Sequence, residues 1–363
     1  MQKNLYIRSI ISTISTIQIQ NAMIDIIQDK SLLAHNTFGF DVKAAVWAEY
    51  DSVESLREVL SHPLVAGKRL LHIGKGSNLL FAGDYDGVVL HSRIDHIEIL
   101  SETEAGEVTV SVGSGVLWDD FCRWAIEQRL YGSENLSGIP GECGAAVVQN
   151  IGAYGAEIAD LVHEVKTLDT TTGAEKVFSK KECRYAYRYS AFKSAELSGR
   201  YIVTSASLTL RRQADLNLDY GNIRSALAAH SGEISLELLR DTILSIRDSK
   251  LPHPSELGNA GSFFKNPIVK RQVGEDLKAV YPFVTLYDVD KHHCKIPAAW
   301  LIEQCGWKGR KMGGAGVYSK QCLVLVNHGD ATPAEVIALS EAIVRTIKDR
   351  FDILIEPEVA IIR

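Results

Sequence analysis

The sequence predicts a mixed protein of helices and strands in two or three domains, and three observations carry that reading. The chain has 363 residues, more than one ordinary domain of roughly 150 residues holds. Short apolar runs suited to strands alternate with amphipathic segments suited to helices. Three glycine-rich segments interrupt this alternation. With 46% apolar and 23% charged residues, the chain can bury a sizeable core and is not of the disordered class. A net charge of −6 without basic runs excludes nucleic-acid binding through a broad positive field. No run is long and apolar enough to span a membrane. The first 24 residues lack acids and leave a signal peptide as one reading, against which polar residues interrupt the apolar stretch and no A-x-A site follows. Met23 offers an alternative start. Residues 1–30 read as an N-terminal extension, poorly ordered over 1–22.

Taken in order, Asp51-Ser52-Val53-Glu54 opens a short helix with Leu56, Val59 and Leu60 on one face. Strands follow at 70–73 and 87–90. Val108, Val110 and Val112 alternate in a strand over 107–112, and a helix over 118–130 carries Phe121, Trp124 and Ala125. Residues 161–168 and 201–210 read as strands around the segment ECRYAYRYSAFK. Pro252, Pro254 and Gly258 mark a boundary from Leu251 onward. Beyond it lie a helix over 298–305 and the glycine run 313–316. Thr332-Pro333-Ala334-Glu335 is a capping box with proline at the first helical position. Val336, Leu339, Ile343, Val344, Ile347 and Phe351 then form one buried face. The last stretch, 353–362, reads as a strand confined to an edge or bulge by Pro357.

The glycine loops are where chemistry is expected. Residues 134–157, ENLSGIPGECGAAVVQNIGAYGAE, contain Gly138, Gly141, Gly144, Gly152 and Gly155 with Pro140, and small alanines between them. Successive exposed N–H groups in such a segment can form a concave anion site; a Gly/Ala-rich packing turn is the alternative. Upstream, Gly74-Lys75-Gly76-Ser77-Asn78 follows the apolar run 70–73, a context in which backbone donors and a hydroxyl bind phosphate. Gly113-Ser114-Gly115 is a third, weaker loop. None satisfies G-x-G-x-x-G, so a Rossmann unit is not supported. Together they suggest one extended ligand bearing a diphosphate.

Six cysteines lie far apart without a CxxC pair and are expected as reduced thiols. His292-His293-Cys294 is the one cluster of metal-ligand types, and adjacent side chains rarely converge on one ion, so no metal is expected.

The order of NTFG (Asn36 to Gly39), GKGSN, Arg93-Ile94, ENLSGIPG, QNIGAYG, ECRYAYRYSAFK, GSFFKNP and a terminal EPEV resembles the UDP-N-acetylenolpyruvoylglucosamine reductase family, from about Asn36 to the C-terminus. The resemblance implies an α+β fold with an FAD-binding domain of the vanillyl-alcohol-oxidase type in two subdomains (31–100 and 101–250). A substrate-binding domain (251–352) and a C-terminal strand (353–363) returning to the active site would follow. It implies reduction of an enol ether in peptidoglycan precursor synthesis: hydride passes from NADPH to FAD and on to the enolpyruvyl carbon, and a proton completes the adjacent carbon. It implies a small-molecule UDP-sugar substrate, no nucleic acid, membrane or obligate protein partner, a monomeric chain and a cytoplasmic location.

Site residues carry over by motif. Arg188 matches the arginine that grips the substrate carboxylate, a task suited to a planar, permanently charged guanidinium. Glu358 matches the glutamate acting at the same carboxylate; a carboxylate there requires a raised pKa or a close Arg188 contact, and Glu356 is the neighbouring alternative. Ser262 matches the proton donor to the enol; a turn serine bonding its own backbone is the competing reading. For FAD the matching positions are Gly74, Lys75, Gly76, Ser77, Asn78, Arg93, Gly113, Gly138, Ile139, Pro140, Gly141, Gly144, Asn150, Gly152 and Gly155. For substrate they are Tyr220, Lys250, Asn266, Tyr287, Lys295 and Gln321. The segment from Tyr287 to Lys295 resembles the longer subtype of the family, whose tyrosine-bearing loop closes over the nucleotide. The first glycine loop has no histidine, so FAD is expected to be non-covalent. A flavin oxidase or a non-catalytic flavin sensor would share the glycine loops but has no need of Arg188, Ser262 and Glu358 together.

Overall fold

The computed structural model describes residues 24–220, 222–228 and 230–363; the expectation for residues 1–22 lies outside the described residues. Residues 25–30, assigned above to the extension, instead belong to the strand Asp25–Ser31, paired antiparallel with Lys43–Tyr50. Ile26 and Ile27 explain the difference, since each packs against a different core cluster on opposite faces of the strand.

The first sheet has the order Asp25–Ser31, Lys43–Tyr50, Tyr85–Ser92, Leu70–Ile73, with parallel pairing among the last three. Helix Val53–Ser61 starts at Ser52, whose side chain accepts from the Ser55 N–H in a capping box. It buries Leu56 and Val59 against Val46, Tyr50, Val88 and Leu90 of that sheet.

The second sheet is antiparallel, in the order Glu175–Ser179, Val162–Asp169, Tyr201–Arg211, Glu107–Gly113, Ile97–Glu102. Val108, Val110 and Val112 are fully buried, sharing a core with helices Trp118–Glu127 and Cys143–Gln149. The second of these helices lies inside the stretch read above as glycine loop. Helix Leu236–Lys250, absent from the sequence reading, is capped by Ser235 and buries Leu236, Leu239, Ile243 and Ile246. Arg240 anchors it by two 2.7 Å bonds to the two Asp119 oxygens.

The third sheet has the order Gly258–Ser262, Val324–Asn327, Ala315–Val317, Lys311–Met312. The long helix Pro333–Phe351 begins in the expected capping box of Thr332 and Glu335 and buries Val336, Leu339, Ile343 and Ile347. Phe263, Phe264, Leu301 and Ile343 share one core with Trp47, Leu80 and Phe81, so the third unit and the first sheet are packed as one body. The strand expected over 353–362 is confined to Ala360–Ile362, paired in parallel with Leu79–Phe81. Pro357 makes only an isolated bridge to Phe264, because it has no N–H to extend a ladder.

Candidate active site

A cavity of about 310 Å³ opens where these units meet. Of the residues proposed for FAD, Gly74, Lys75, Gly76, Ser77, Asn78, Ile139, Pro140, Gly141, Gly144 and Gly152 line it, and so do Arg188, Ser262 and Glu358. In the first loop Gly76 has φ +67°, and a Cβ there would lie 1.9 Å from the His35 carbonyl oxygen, so no other residue fits. Among the described residues, the N–H groups of Lys75, Gly76 and Ser77 donate to no group of the protein. Ser77 Oγ donates to the Pro140 carbonyl at 3.0 Å, which ties the first loop to the second.

Arg188 sits in a tight turn. Ala186 and Tyr189 exchange backbone hydrogen bonds of 3.0 and 2.9 Å, leaving Tyr187 and Arg188 as the turn residues, with Arg188 at φ 55°. That region costs a non-glycine residue about 1–2 kcal/mol. The turn is pinned on both sides: Asn150 Nδ2 donates to the Ala186 carbonyl at 2.8 Å and Lys193 Nζ to the Arg188 carbonyl at 3.0 Å. The guanidinium reaches the cavity, where Nη2 donates to the Gly152 carbonyl at 2.7 Å. Arg188 Nε lies 2.8 Å from Glu358 Oε1, but its N–H is not aimed at that oxygen, so the contact is an ion pair without a hydrogen bond. Burial pushes the Glu358 carboxyl above its ordinary range, against the opposing pull of Arg188 and Lys193. Both features expected of Glu358 are therefore present. Glu356 is exposed, 3.6 Å from Lys265, and does not line the cavity.

Ser262 ends a strand whose register is broken between Asn259 and Ser262. Gly261 occupies the left-handed region at φ +68°, and its N–H donates to Asn259 Oδ1 at 2.9 Å. The local turn is thus closed by Asn259, not by the serine. Among the described residues, nothing hydrogen-bonds the Ser262 hydroxyl.

The remaining candidates lie off the cavity. Arg93 is 3.8 Å from Glu49, and Gly113 packs against Ile94, whose carbonyl oxygen a Cβ would meet at 2.3 Å. Gly138 donates its N–H to Asp119, Asn150 is the cap that pins the Arg188 turn, and Gly155 lines a separate cavity. Of the substrate candidates, Tyr220 stacks on Tyr287 with ring centroids 6.3 Å apart, and Lys295 Nζ lies 4.4 Å from the Tyr187 ring centre. Asn266 Oδ1 accepts from the Ala298 N–H at 2.8 Å, Gln321 Oε1 from the Leu323 N–H at 3.3 Å, and Lys250 is the last residue of its helix. None of the six lines the cavity.

Arg247 is a lining residue that sequence reasoning missed. It follows from Leu236, Leu239, Ile243 and Ile246, whose spacing sets one helical face. Among the described residues no carboxylate lies within ion-pair distance of it, and burial pushes its pKa below the ordinary arginine range. Free loop amides with Lys75 and Arg247 suit a diphosphate, and Leu71, Ile73, Trp118, Ile139, Val148 and Ile151 suit a flat ring system, so the donor set fits FAD. Among the described residues no three of His, Cys, Asp or Glu gather as metal ligands, none of the six cysteines is paired, and no helix is long and apolar enough to cross a membrane.

Comparison with known proteins agrees with this geometry. Residues 44–178 match the model of an FAD binding domain, and residues 253–362 that of the UDP-N-acetylenolpyruvoylglucosamine reductase C-terminal domain. The chain is 50% identical over 332 residues to the UDP-N-acetylenolpyruvoylglucosamine reductase of Bacteroides fragilis, covering 92% of this chain and 98% of that one. It is 41% identical over 335 residues to the enzyme of that name from Porphyromonas gingivalis, again covering 92% and 98%. The crystal structure of the Thermus caldophilus reductase superposes with a TM-score of 0.63 at 21% identity, over 94% of this chain and 100% of that one, and shares the fold. A chain matched at both its FAD-binding and its C-terminal regions, and along nearly the whole length of these relatives, belongs to the UDP-N-acetylenolpyruvoylglucosamine reductase family.

Proposed function

We propose that this cavity is the site at which the protein, an FAD-dependent reductase, converts UDP-N-acetylglucosamine enolpyruvate to UDP-N-acetylmuramate with NADPH as co-substrate. The observation that carries the assignment is the convergence of Arg188, Ser262 and Glu358 on the cavity that the two glycine loops also line. Bound FAD supplies the two-electron chemistry between NADPH and the enolpyruvyl group. Lys75, Arg247 and the free amides of Lys75, Gly76 and Ser77 hold its diphosphate.

The chain's own residues do the rest. Arg188 binds the substrate carboxylate, and its positive charge opposes the negative charge that builds there as the double bond is reduced. Glu358 holds the guanidinium in place through the 2.8 Å ion pair. Ser262, whose hydroxyl has no competing partner among the described residues, delivers the proton from Oγ to the carbon adjacent to the one reduced. Tyr220, Lys250, Asn266, Tyr287, Lys295 and Gln321 form the approach for the nucleotide, with the stacked Tyr220 and Tyr287 as its lid. The three sheets support a division into two FAD-binding subdomains and a substrate-binding domain. A nucleotide-sugar substrate and NADPH both support a cytoplasmic location; the monomeric state belongs to the same reading, and light scattering checks it.

An anaerobic spectrum of the purified protein tests the assignment. NADPH should bleach the flavin, and UDP-N-acetylglucosamine enolpyruvate should restore it. Restoration by oxygen alone would make the protein an oxidase, and a flavin that never bleaches would make it a binding protein.

A further inference from the structure

Apart from the Arg188–Glu358 pair, the molecule buries a second set of charges against the same cavity. Glu49 and His91 are register partners on the adjacent parallel strands Lys43–Tyr50 and Tyr85–Ser92. His91 Nδ1 lies 2.8 Å from Glu49 Oε1, and His91 Nε2 lies 3.0 Å from Glu142 Oε1. Glu142 is 3% exposed and His91 8%. A neutral imidazole has one N–H and one lone pair, and here the lone pair would face a carboxylate; only the imidazolium donates to both. Glu142 belongs to the second glycine loop, and its other oxygen faces the first: a Cβ on Gly74 would stand 3.1 Å from Oε2. The bridge therefore runs from the first sheet, through His91, to the loop contributed by the second unit.

The surroundings favour one charged histidine. His35 is 5.9 Å from His91, ring to ring, and His72 bonds the Tyr50 hydroxyl at 2.8 Å. Burial first, and then the charge of His91, push each of these two down to about 4. Arg93 lies 3.8 Å from Glu49, and Lys30 and Lys75 act on His35 from farther away. Glu49 and Glu142 are the carboxylates in contact with the ring. For His91 itself burial pushes downward, but Glu142 and Glu49 together outweigh it, so the imidazole titrates above its ordinary value.

We propose that His91 is a positioning residue: bonded to Glu49 on one side and Glu142 on the other, it clamps the second glycine loop onto the first and so sets how tightly the cavity holds FAD. The inference rests on the assignment of the cavity to FAD. Its sign follows from linkage: a raised histidine pKa makes the clamp complete at low pH and releases it as pH rises through the folded value. FAD should then bind more weakly in alkaline solution.

The test measures FAD dissociation by flavin fluorescence on deflavinated protein, from about pH 6 to about pH 9.5, beside an NMR titration of the His91 imidazole in the FAD-loaded wild type. In the wild type the dissociation constant should rise roughly tenfold or more across this range, with the NMR midpoint of His91. His91→Gln, an uncharged amide whose single nitrogen cannot take the places of both Nδ1 and Nε2, should bind FAD weakly at every pH. Adding Glu142→Gln should recover affinity without restoring the pH dependence. A variant with the wild-type slope, or a His91 already neutral near pH 7 in the loaded protein, would overturn the clamp; the NMR result decides the matter even where a variant fails to fold. Ala145→Trp, which fills the cavity, separates the two levels of inference. If it binds FAD as the wild type does, the cavity assignment fails; if it loses FAD while His91→Gln keeps the wild-type slope, only the clamp fails.

Discussion

At the residue scale, the site depends on conformations that only particular side chains tolerate. Ser262 owes its free hydroxyl to Asn259 and to the left-handed Gly261. Ser262→Ala should therefore leave reduction by NADPH within a factor of about two while slowing reoxidation by the enolpyruvyl nucleotide by roughly 10²–10⁴, the range for loss of a positioned proton donor. Stopped-flow traces of the two half-reactions check this, and equal loss in both would remove Ser262 from the role. Glu358 makes a second case. Burial already favours its protonated form, and a substrate carboxylate arriving at Arg188 would bring a second negative charge to the ion pair. Substrate binding should thus take up as much as about one proton and weaken as pH rises through the raised pKa. Calorimetry in buffers of different ionisation enthalpy measures the uptake, which Glu358→Gln should abolish. The type of each of these residues was legible from its motif. The αL turn at Arg188 and its pins, Asn150 and Lys193, were not, because they depend on hydrogen bonds to segments remote in sequence.

At the scale of elements, local signals were read well where caps and apolar periodicity coincide. Thr332, Pro333 and Glu335 announce the helix Pro333–Phe351, and Thr332→Ala should lower unfolding stability by about 1 kcal/mol, measured by urea denaturation with the m-value unchanged. Helix Leu236–Lys250 escaped because Arg240 and Arg247 turn inward, one to Asp119 and one to the cavity, and blur its apolar stripe. Helix Cys143–Gln149 escaped because glycines surround it, although Ala145 and Ala146 favour a helix. In the terminal segment Ile353, Ile355 and Val359 are buried without a continuous ladder, so a strand-like pattern reported burial correctly and pairing wrongly.

For the whole molecule, the cavity proposed for FAD is a seam between units. A ligand held across such a seam stabilises the assembled state, by about 2.7 kcal/mol at a hundredfold excess over its dissociation constant. Deflavination should therefore lower the thermal midpoint, and added FAD should restore it in a concentration-dependent way; a midpoint indifferent to FAD would show that the units assemble fully without it. Composition and loop spacing led to the expectation of several units around one ligand. They were silent on the core that Trp47, Leu80 and Phe81 share with Phe263 and Ile343, since only folding brings those residues together.

The parallel pairing of Ala360–Ile362 with Leu79–Phe81 also has a bearing on biosynthesis. Asn78, at the end of the first glycine loop, contacts Glu358, its carbonyl accepts from the Ala360 N–H at 3.1 Å, and Glu358 lines the cavity. A nascent chain on the ribosome therefore has both glycine loops long before it has a finished binding site. The wall opposite them is complete only once translation has passed Ile362, and a product cut short of Glu358 would have the cradle made and its far wall missing.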